Sequence, residues 1–316
     1  MFSSPTSRAG LLSAAAILAL VLLPASTQAS DKHGDKDKKG AKAPATEITT
    51  CDYTITVPGT YVLAADLTCG GNGVTIQASH VRLDLDGHRL YGSGGGVGVL
   101  VYSAAERLTD VTLEGPGVVT RFNHGIRLDN VDHGRIRGVT STRNFNGVMT
   151  STFVDSTVTG LSVRDSVFSA NLGFGMLIGN SDDGQIRRNI TAGNGTGGAG
   201  GLAGIGIIGG SGNLVQENVS TANFGDGISI SGGFTYFSVP TGNRVRDNLA
   251  SGNFQGGIHI WGGDDNAVER NSALGNLDGV DMRDDNVACG SNTWRRNTFV
   301  TSNQPCIVPA PAHHDH

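Results

Sequence analysis

The chain has 316 residues, a net charge of −5 and 48 glycines, which is about twice the glycine share of an average protein. The glycines show no collagen period and are mixed with Asn, Asp, Val and Ile, which predicts many turns joining many short strands. The negative charge argues against a basic nucleic-acid-binding surface, so no nucleic-acid partner is predicted. This length suffices for one large core or one elongated repeat domain.

The N-terminus is predicted to be a targeting segment. Arg8 precedes an apolar run over residues 10–25, and small residues follow, which is typical of a secretory signal peptide spanning residues 1–29. A membrane anchor is the competing interpretation, but the run is shorter than the roughly 20 residues that a spanning helix needs. We therefore predict an exported protein, periplasmic or extracellular, with no membrane span in its mature form.

A disordered charged linker is predicted over residues 30–45. It lacks aromatic and β-branched residues, so it cannot bury enough apolar surface to fold. The folded domain is expected over residues 46–308, followed by a flexible His-rich tail over residues 309–316. The tail ends in HHDH, which is a candidate copper or nickel ligand set as well as a solubilising segment.

Four cysteines form two local pairs, one near each end of the predicted domain. Cys51 lies near Cys69 in the sequence, and Cys289 lies near Cys306. In an oxidising compartment this spacing predicts two short-loop disulfides, each worth about 3 kcal/mol. A zinc site is the competing interpretation, although the chain lacks any C-x₂-C element.

Short glycine–aliphatic segments recur along the chain and define an internal repeat. Examples are GMLIGN from residue 175, GISISG from residue 227 and GIHIWG from residue 257. Each is followed by a segment such as NRVRDN and then by a further asparagine, and these last asparagines are 23 to 30 residues apart. Repeats of this length with three strand-like pieces predict a solenoid.

Within each piece, apolar residues alternate with residues of other kinds. Ile258 and Ile260 are expected to point into the core, and His259 and Trp261 are expected to point outward. After the signal peptide, no stretch shows the 3.6-residue spacing of apolar residues that is typical of an amphipathic helix. The sequence therefore predicts an all-β, single-domain parallel β-helix of nine to ten coils, with rungs about 4.8 Å apart.

The recurring asparagines are expected to be parts of turns. Asn223, Asn253 and Asn276, with Asn303 as the next in the series, are predicted to occupy left-handed turn positions. Each buried amide would bond to the asparagine one coil away and so form a ladder.

These repeats resemble the right-handed parallel β-helix repeat proteins of the pectin-lyase-like superfamily over roughly residues 46–308. The opening segment CDYTITVPGTYVLAADLTCGGNG is similar to the N-terminal cap and first coil of that group, and to periplasmic NosD-like maturation proteins. The resemblance implies a right-handed coil with N- and C-terminal caps. Because the superfamily contains lyases, hydrolases, epimerases, adhesins and proteins without known catalysis, it does not imply one activity.

Candidate catalytic side chains lie on the outward face of the last coils. His259 is predicted to move a proton near neutral pH, with Asp281 beside it to orient the imidazole. Arg283, expected beside Trp261, is predicted to pair with a sugar carboxylate.

The same region holds candidate ligand-binding side chains. An aromatic ring stacks well on the apolar face of a sugar, and hydroxyl groups bond its edges. The predicted substrate-binding residues are Trp261, Ser229, Ser231 and Tyr236. Two aspartate pairs, expected to stack one coil apart, suit calcium, although such pairs are also ordinary turn residues. The predicted metal-binding residues are Asp264, Asp265, Asp284 and Asp285.

Together these residues favour an exported protein that binds an extended anionic polysaccharide. Cleavage by β-elimination or hydrolysis is a further step that the same side chains suit. The alternative is a non-catalytic scaffold for adhesion or for maturation of an envelope protein or metal site. No cofactor is required by the sequence, and calcium is the ion that the aspartate pairs would hold.

Overall fold

The computed structural model describes residues 44–150, 156–197, 202–232 and 238–311. The predicted signal peptide and almost all of the predicted linker therefore lie outside the described residues, as does the HHDH tail. No helix in the described part of the chain is long and apolar enough to cross a membrane. The described strands wind into a parallel β-helix of about nine turns, which confirms the predicted fold class.

The strands, numbered β1 to β33 in chain order, form four parallel sheets. Sheet A contains β1 (Thr46–Ile48), β3 (Gly59–Leu63), β6 (Val81–Asp84), β10 (Thr112–Glu114), β14 (Arg135–Arg137), β18 (Ser162–Arg164), β22 (Gln185–Arg187), β25 (Leu214–Gln216), β28 (Arg244–Arg246), β31 (Ala267–Glu269) and β33 (Thr293–Arg295). Sheet B contains β2 (Tyr53–Ile55), β5 (Val74–Ile76), β8 (Val97–Val101), β12 (His124–Leu128), β16 (Asn146–Thr150), β20 (Met176–Gly179), β24 (Ile205–Ile208), β27 (Ile228–Ser231), β30 (Ile258–Ile260) and β32 (Met282–Asp284).

Two smaller sheets complete each coil. Sheet C contains β4 (Leu67–Cys69), β7 (Arg89–Gly92), β11 (Val118–Thr120), β15 (Thr140–Thr142), β19 (Val167–Ser169), β23 (Ile190–Ala192), β26 (Val219–Thr221) and β29 (Leu249–Ser251). Sheet D contains β9 (Leu108–Thr109), β13 (Val131–Asp132), β17 (Val158–Thr159) and β21 (Ser181–Asp182). A short 3-10 turn, Val287–Cys289, precedes β33.

The core lies inside the coil and is built from alternate strand residues. Ile258 and Ile260 are buried as predicted, and Ile258 pairs in register with Ile228 below it and with Met282 above it. Each such aliphatic side chain gains about 1.5–3 kcal/mol from burial. Because side chains alternate across a strand, this inward set leaves every second residue on the outer surface.

Buried asparagines stack from coil to coil in three ladders at the corners between sheets. Ladder 1 lies between sheets C and B and contains Asn144, Asn171, Asn194, Asn223, Asn253 and Asn276. Ladder 2 lies between sheets A and C and contains Asn189, Asn218, Asn248, Asn271 and Asn297. Ladder 3 precedes sheet A and contains Asn213, Asn243, Asn266 and Asn292. The predicted ladder is confirmed.

Two details of the predicted ladder are wrong. The left-handed residue is the one before each asparagine, for example Gly252 with φ 67° before Asn253, because the asparagine itself must direct its amide into the stack. Asn303 is not a member of ladder 1, since it is exposed and its amide donates to the backbone oxygen of Asp284.

Ladders 1 and 3 end on buried carboxylates. The Nδ2 of Asn276 donates to Asp281 Oδ1 at 3.0 Å, and the backbone N–H of Val300 donates to Asp281 Oδ2 at 3.0 Å. The Nδ2 of Asn292 donates to Asp284 Oδ2 at 3.2 Å, and Trp294 Nε1 donates to the same oxygen at 2.9 Å. A carboxylate only accepts hydrogen bonds, so it can satisfy the last amide donors at the end of a stack.

Both predicted disulfides are present. Cys51 is bonded to Cys69, and Cys289 is bonded to Cys306. All four cysteines are therefore oxidised, so no thiolate is left for the zinc site that was the competing interpretation.

Candidate functional site

The outward face of sheet B carries most of the predicted site residues. Strand register places Gly206, Ser229, His259 and Arg283 in one column, with one residue in each coil. In the same register, Trp261 lies two residues after His259, and Asp226 lies three residues before Ser229, next to the start of β27. We call Asp226, His259, Trp261, Arg283 and Asp285 the upper site.

His259 lies between two carboxylates. Its Nδ1 is 3.0 Å from Asp226 Oδ2, and its Nε2 is 3.1 Å from Asp285 Oδ2. Each ring nitrogen is therefore within hydrogen-bonding distance of a carboxylate oxygen. The imidazole is 2% exposed, so it lies almost entirely beneath other side chains.

Trp261 covers His259. The two rings are stacked with centroids 4.1 Å apart, and Trp261 Nε1 donates to Asp226 Oδ2 at 3.1 Å. The indole therefore lies across the column of His259 and is anchored at its far edge. Trp261 nevertheless stays 43% exposed, so much of the indole is open to solvent.

Arg283 joins the upper site from the next coil. Its Nε donates to Asp285 Oδ1 at 2.8 Å, and its guanidinium carbon lies 5.8 Å from the centroid of the Trp261 ring. Burial tends to raise the pKa of Asp285, but hydrogen bonds from Arg283 and His259 outweigh it and lower that pKa. The predicted proximity of Trp261 and Arg283 is confirmed.

The predicted pairing of His259 with Asp281 is wrong. The register aligns His259 with Arg283 and Ile260 with Asp284, so Asp281 falls opposite Gly257, two residues away from the position that faces His259. Its carboxylate ends ladder 1 instead. Burial acts to raise the pKa of Asp281, but hydrogen bonds from Asn276, Val300 and Thr301 together lower it.

The predicted stack of aspartate pairs is also wrong. Asp284 aligns with Ile260 in sheet B, whereas Asp265 lies in the later turn, where its backbone N–H bonds to Ser291. Asp264 precedes it in that turn, and Asp285 belongs to the upper site. Within the described ranges, no group of three or more His, Cys, Asp or Glu side chains is placed to hold a metal ion.

The remaining predicted binding residues have different positions. Ser229 is 3% exposed and lies directly below His259, so neighbouring side chains cover it. Ser231 ends β27 and is partly exposed. Tyr236 lies outside the described residues.

Two polar residues of this region were not predicted. Asp226 anchors both rings of the upper site, and Asp278 lines the same small cavity of about 120 Å³. The available signal was the segment GDGISI, because aligning it with QGGIHI places Asp226 beside the strand at the position that Gly256 occupies one coil later.

A second polar group lies lower on the sheet B face, at β12. Arg127 pairs with Asp129 at 2.8 Å beside a cavity of about 600 Å³. Burial raises the pKa of Asp129, which the nearby Arg127 partly offsets. His124, on the same strand, has its pKa lowered to about 4 by burial and by the charge of Arg127.

The lowered pKa of His124 predicts a pH-dependent stability. The unfolded chain takes up this proton near pH 6.5, but the folded chain does so only near pH 4. The contribution of His124 is therefore complete above pH 6.5 and is lost as the pH falls towards 4, by up to about 3 kcal/mol. Denaturant unfolding at several pH values should show that the free energy of unfolding falls less between pH 6.5 and pH 4 for His124→Gln than for the parent. His80 is exposed, so His80→Gln should lose as much unfolding free energy as the parent does. The same pH dependence in all three proteins would contradict the role given to His124.

Several solved structures share this fold. The Dettilon tailspike protein is 16% identical over 81% of this chain and 54% of its own, with a TM-score of 0.62. A mutant of the periplasmic alginate epimerase AlgG is 12% identical over 81% and 73%, with a TM-score of 0.54. DFA-IIIase from Arthrobacter chlorophenolicus A6 is 13% identical over 78% and 64%, with a TM-score of 0.52. The chain thus spans about half to three quarters of these proteins, and such identities establish the fold alone.

Sequence comparison identifies the family. No curated protein matches the chain. The model of the family described as "Periplasmic copper-binding protein (NosD)" matches residues 70–306, which is most of the chain. The resemblance to NosD-like proteins is confirmed, and the chain belongs to this family.

Proposed function

We propose that this exported protein binds an extended polysaccharide along the outward face of sheet B. Trp261 carries the proposal, because its indole lies across His259, is anchored by Asp226 and remains 43% exposed. A fixed, exposed aromatic ring suits stacking against the apolar face of a sugar. The similar solved structures include an alginate epimerase and a DFA-IIIase bound to DFA-III, which supports a carbohydrate ligand.

An extended ligand is favoured by a stripe of exposed apolar residues beside this face. The stripe follows ladder 1, with one residue directly after each of five ladder asparagines, and contains Phe145, Leu172, Phe224, Phe254 and Leu277. The rings of Phe224 and Phe254 are stacked with centroids 4.6 Å apart, which is the spacing of neighbouring rungs. Repeated contacts at one-coil intervals suit a chain of repeated sugar units.

Binding fits the upper site better than catalysis does. A general base must reach the proton that it removes, but both nitrogens of His259 already face carboxylates and the indole covers the ring. We therefore assign His259 as a positioning residue for Trp261. Cleavage by β-elimination or hydrolysis stays a prediction, tested by the release of products from a panel of polysaccharides.

The charge of the upper site does not require an acidic sugar. Arg283 is the residue of the upper site that could pair with a sugar carboxylate, but its Nε already donates to Asp285. Asp226 and Asp278 line the same cavity and add negative charge there. The sugar ring, rather than its charge, is the feature that Trp261 recognises in this proposal.

Copper, named in the family description, does not fit the described residues. No three His, Cys, Asp or Glu side chains in the described ranges are placed to hold a metal ion, and the cysteines are in disulfides. The HHDH tail lies outside those ranges. We derive no step through a metal ion. Periplasmic location is the finer proposal, supported by the family and by two disulfides that suit an oxidising compartment.

A glycan array, followed by titration of the best ligand, tests the proposal. Trp261→Ala is expected to weaken binding about tenfold or more, because the stacking surface is lost. Trp261→Phe keeps a ring but loses the bond to Asp226, so an intermediate affinity is expected. Leu249→Ala is the matched control, since Leu249 is 42% exposed on sheet C.

Two results would overturn this assignment. If Trp261→Ala and Leu249→Ala bind as the parent does, the ligand does not contact the upper site. If no glycan binds the mature protein, the alternative of a protein-binding scaffold is favoured.

A further inference from the structure

The outward face of sheet A is rich in arginine although the whole chain is acidic. From β6 to β33, its outward positions hold eight arginines and three acidic residues. The arginines are Arg82, Arg135, Arg137, Arg164, Arg187, Arg244, Arg246 and Arg295, and the acidic residues are Asp84, Glu114 and Glu269. The upper site lies on sheet B, so this arginine face is a separate surface.

Three of these arginines are stacked on consecutive coils. Arg137 is directly opposite Arg164, which is directly opposite Arg187, at a strand spacing of about 4.8 Å. Like charges in this arrangement destabilise a sheet. Arg137 pairs with Glu114, but the acidic partners of Arg164 and Arg187 are no nearer than 3.9 Å.

Arg188 competes for the acidic partners of this stack. It forms the shorter contact to Asp165, at 2.8 Å, and it also approaches Glu217 at 3.8 Å. The positive charge of Arg164 and Arg187 is therefore only weakly offset by the protein. An anionic ligand would supply the missing partners.

This face also holds donors without a partner. Arg244 is exposed and makes no ion pair or side-chain hydrogen bond with any described residue, and its neighbours in register are Leu214 and Ala267. Among the described residues, the Nε atoms of Arg82, Arg187 and Arg246 are buried without a hydrogen-bond partner. Of these donors, the exposed guanidinium of Arg244 is the one that a ligand can reach, and it favours a bound acceptor.

Two cavities follow this face along the solenoid axis. One of about 320 Å³ extends from β6 to β18, and one of about 460 Å³ extends from β25 to β31. With β22 between them they cover eight strands, or about 34 Å. A long, shallow surface with repeated cations suits a polymer with repeated acidic groups better than a compact anion.

We propose that the arginine face of sheet A binds an acidic polysaccharide laid along the solenoid axis. Guanidinium groups pair bidentately with carboxylates, so each coil offers a contact for an acidic sugar. The outward positions of β6 to β33 carry no aromatic side chain that could stack a base, which argues against a single-stranded polynucleotide.

Calorimetric titration of the mature protein with a defined oligogalacturonate tests this proposal. Arg164→Gln/Arg187→Gln is expected to weaken binding about tenfold or more, because two charged contacts are lost. Arg164→Lys/Arg187→Lys should fall between this variant and the parent, since lysine keeps the charge but not the planar fork. The methyl-esterified oligomer, which has no carboxylates, should bind much more weakly than the free acid.

The matched control removes two charges from another part of the coil. Arg89→Gln/Arg143→Gln changes two exposed arginines in or beside sheet C and should keep the parental affinity. Equal weakening by this control would show that only net charge matters and would overturn the proposal. So would parental affinity in Arg164→Gln/Arg187→Gln, equal binding of the methyl ester, or tighter binding of an oligodeoxynucleotide of equal charge.

Discussion

Replacing Asn253 by leucine is expected to lower the free energy of unfolding by about 3 kcal/mol. Asn253 Oδ1 accepts from the backbone N–H and the Nδ2 of Asn223, and its own Nδ2 donates to Asn276 Oδ1 and to the backbone oxygen of Ser220. Leucine leaves these buried groups without partners, and each unsatisfied group costs about 1–3 kcal/mol. Denaturant unfolding of the parent and the variant measures the difference.

A matched asparagine outside the ladders serves as control. Asn123 is exposed, and its change to leucine should alter stability by less than about 0.5 kcal/mol. Asn253→Asp should also be destabilising, because a carboxylate cannot donate to Asn276. Unchanged unfolding of Asn253→Leu would show that ladder 1 does not hold the coils together.

Removing the C-terminal disulfide is expected to have an effect of similar size. The bond between Cys289 and Cys306 closes a loop with a sequence separation of 17 residues, which corresponds to about 3 kcal/mol in the loop-entropy model. It also holds the segment that follows β33, the last strand of sheet A. The variant Cys289→Ser/Cys306→Ser should therefore unfold at lower denaturant and associate more readily through its freed sheet end.

The N-terminal disulfide provides the comparison for this prediction. Cys51→Ser/Cys69→Ser opens a loop with a separation of 18 residues, so loop entropy alone predicts the same loss of stability. Association that appears only in the C-terminal variant would assign the additional effect to the freed end. Unfolding and light-scattering curves identical to the parent would contradict a capping role for the Cys289–Cys306 bond.

The coil architecture could be predicted from the sequence because its signals are local. The alternation at Ile258 and Ile260 decides which residues enter the core, and the recurrence of asparagines such as Asn253 decides that turns repeat from coil to coil. Each signal depends on one repeat and its neighbour. The close spacing of cysteines likewise allowed the pairing of Cys51 with Cys69.

Only the tertiary structure decided which outward side chains meet, because contacts between coils depend on strand register. The predicted register and the observed register differ by two residues. Arg283 and Asp285 therefore lie beside His259, and Asp281 instead ends ladder 1. Asp226 lies 33 residues before His259, and their contact follows only once the register of β27 against β30 is known. Repeat lengths of 23 to 30 residues hide such alignments, so local periodicity specifies the fold while register specifies the site.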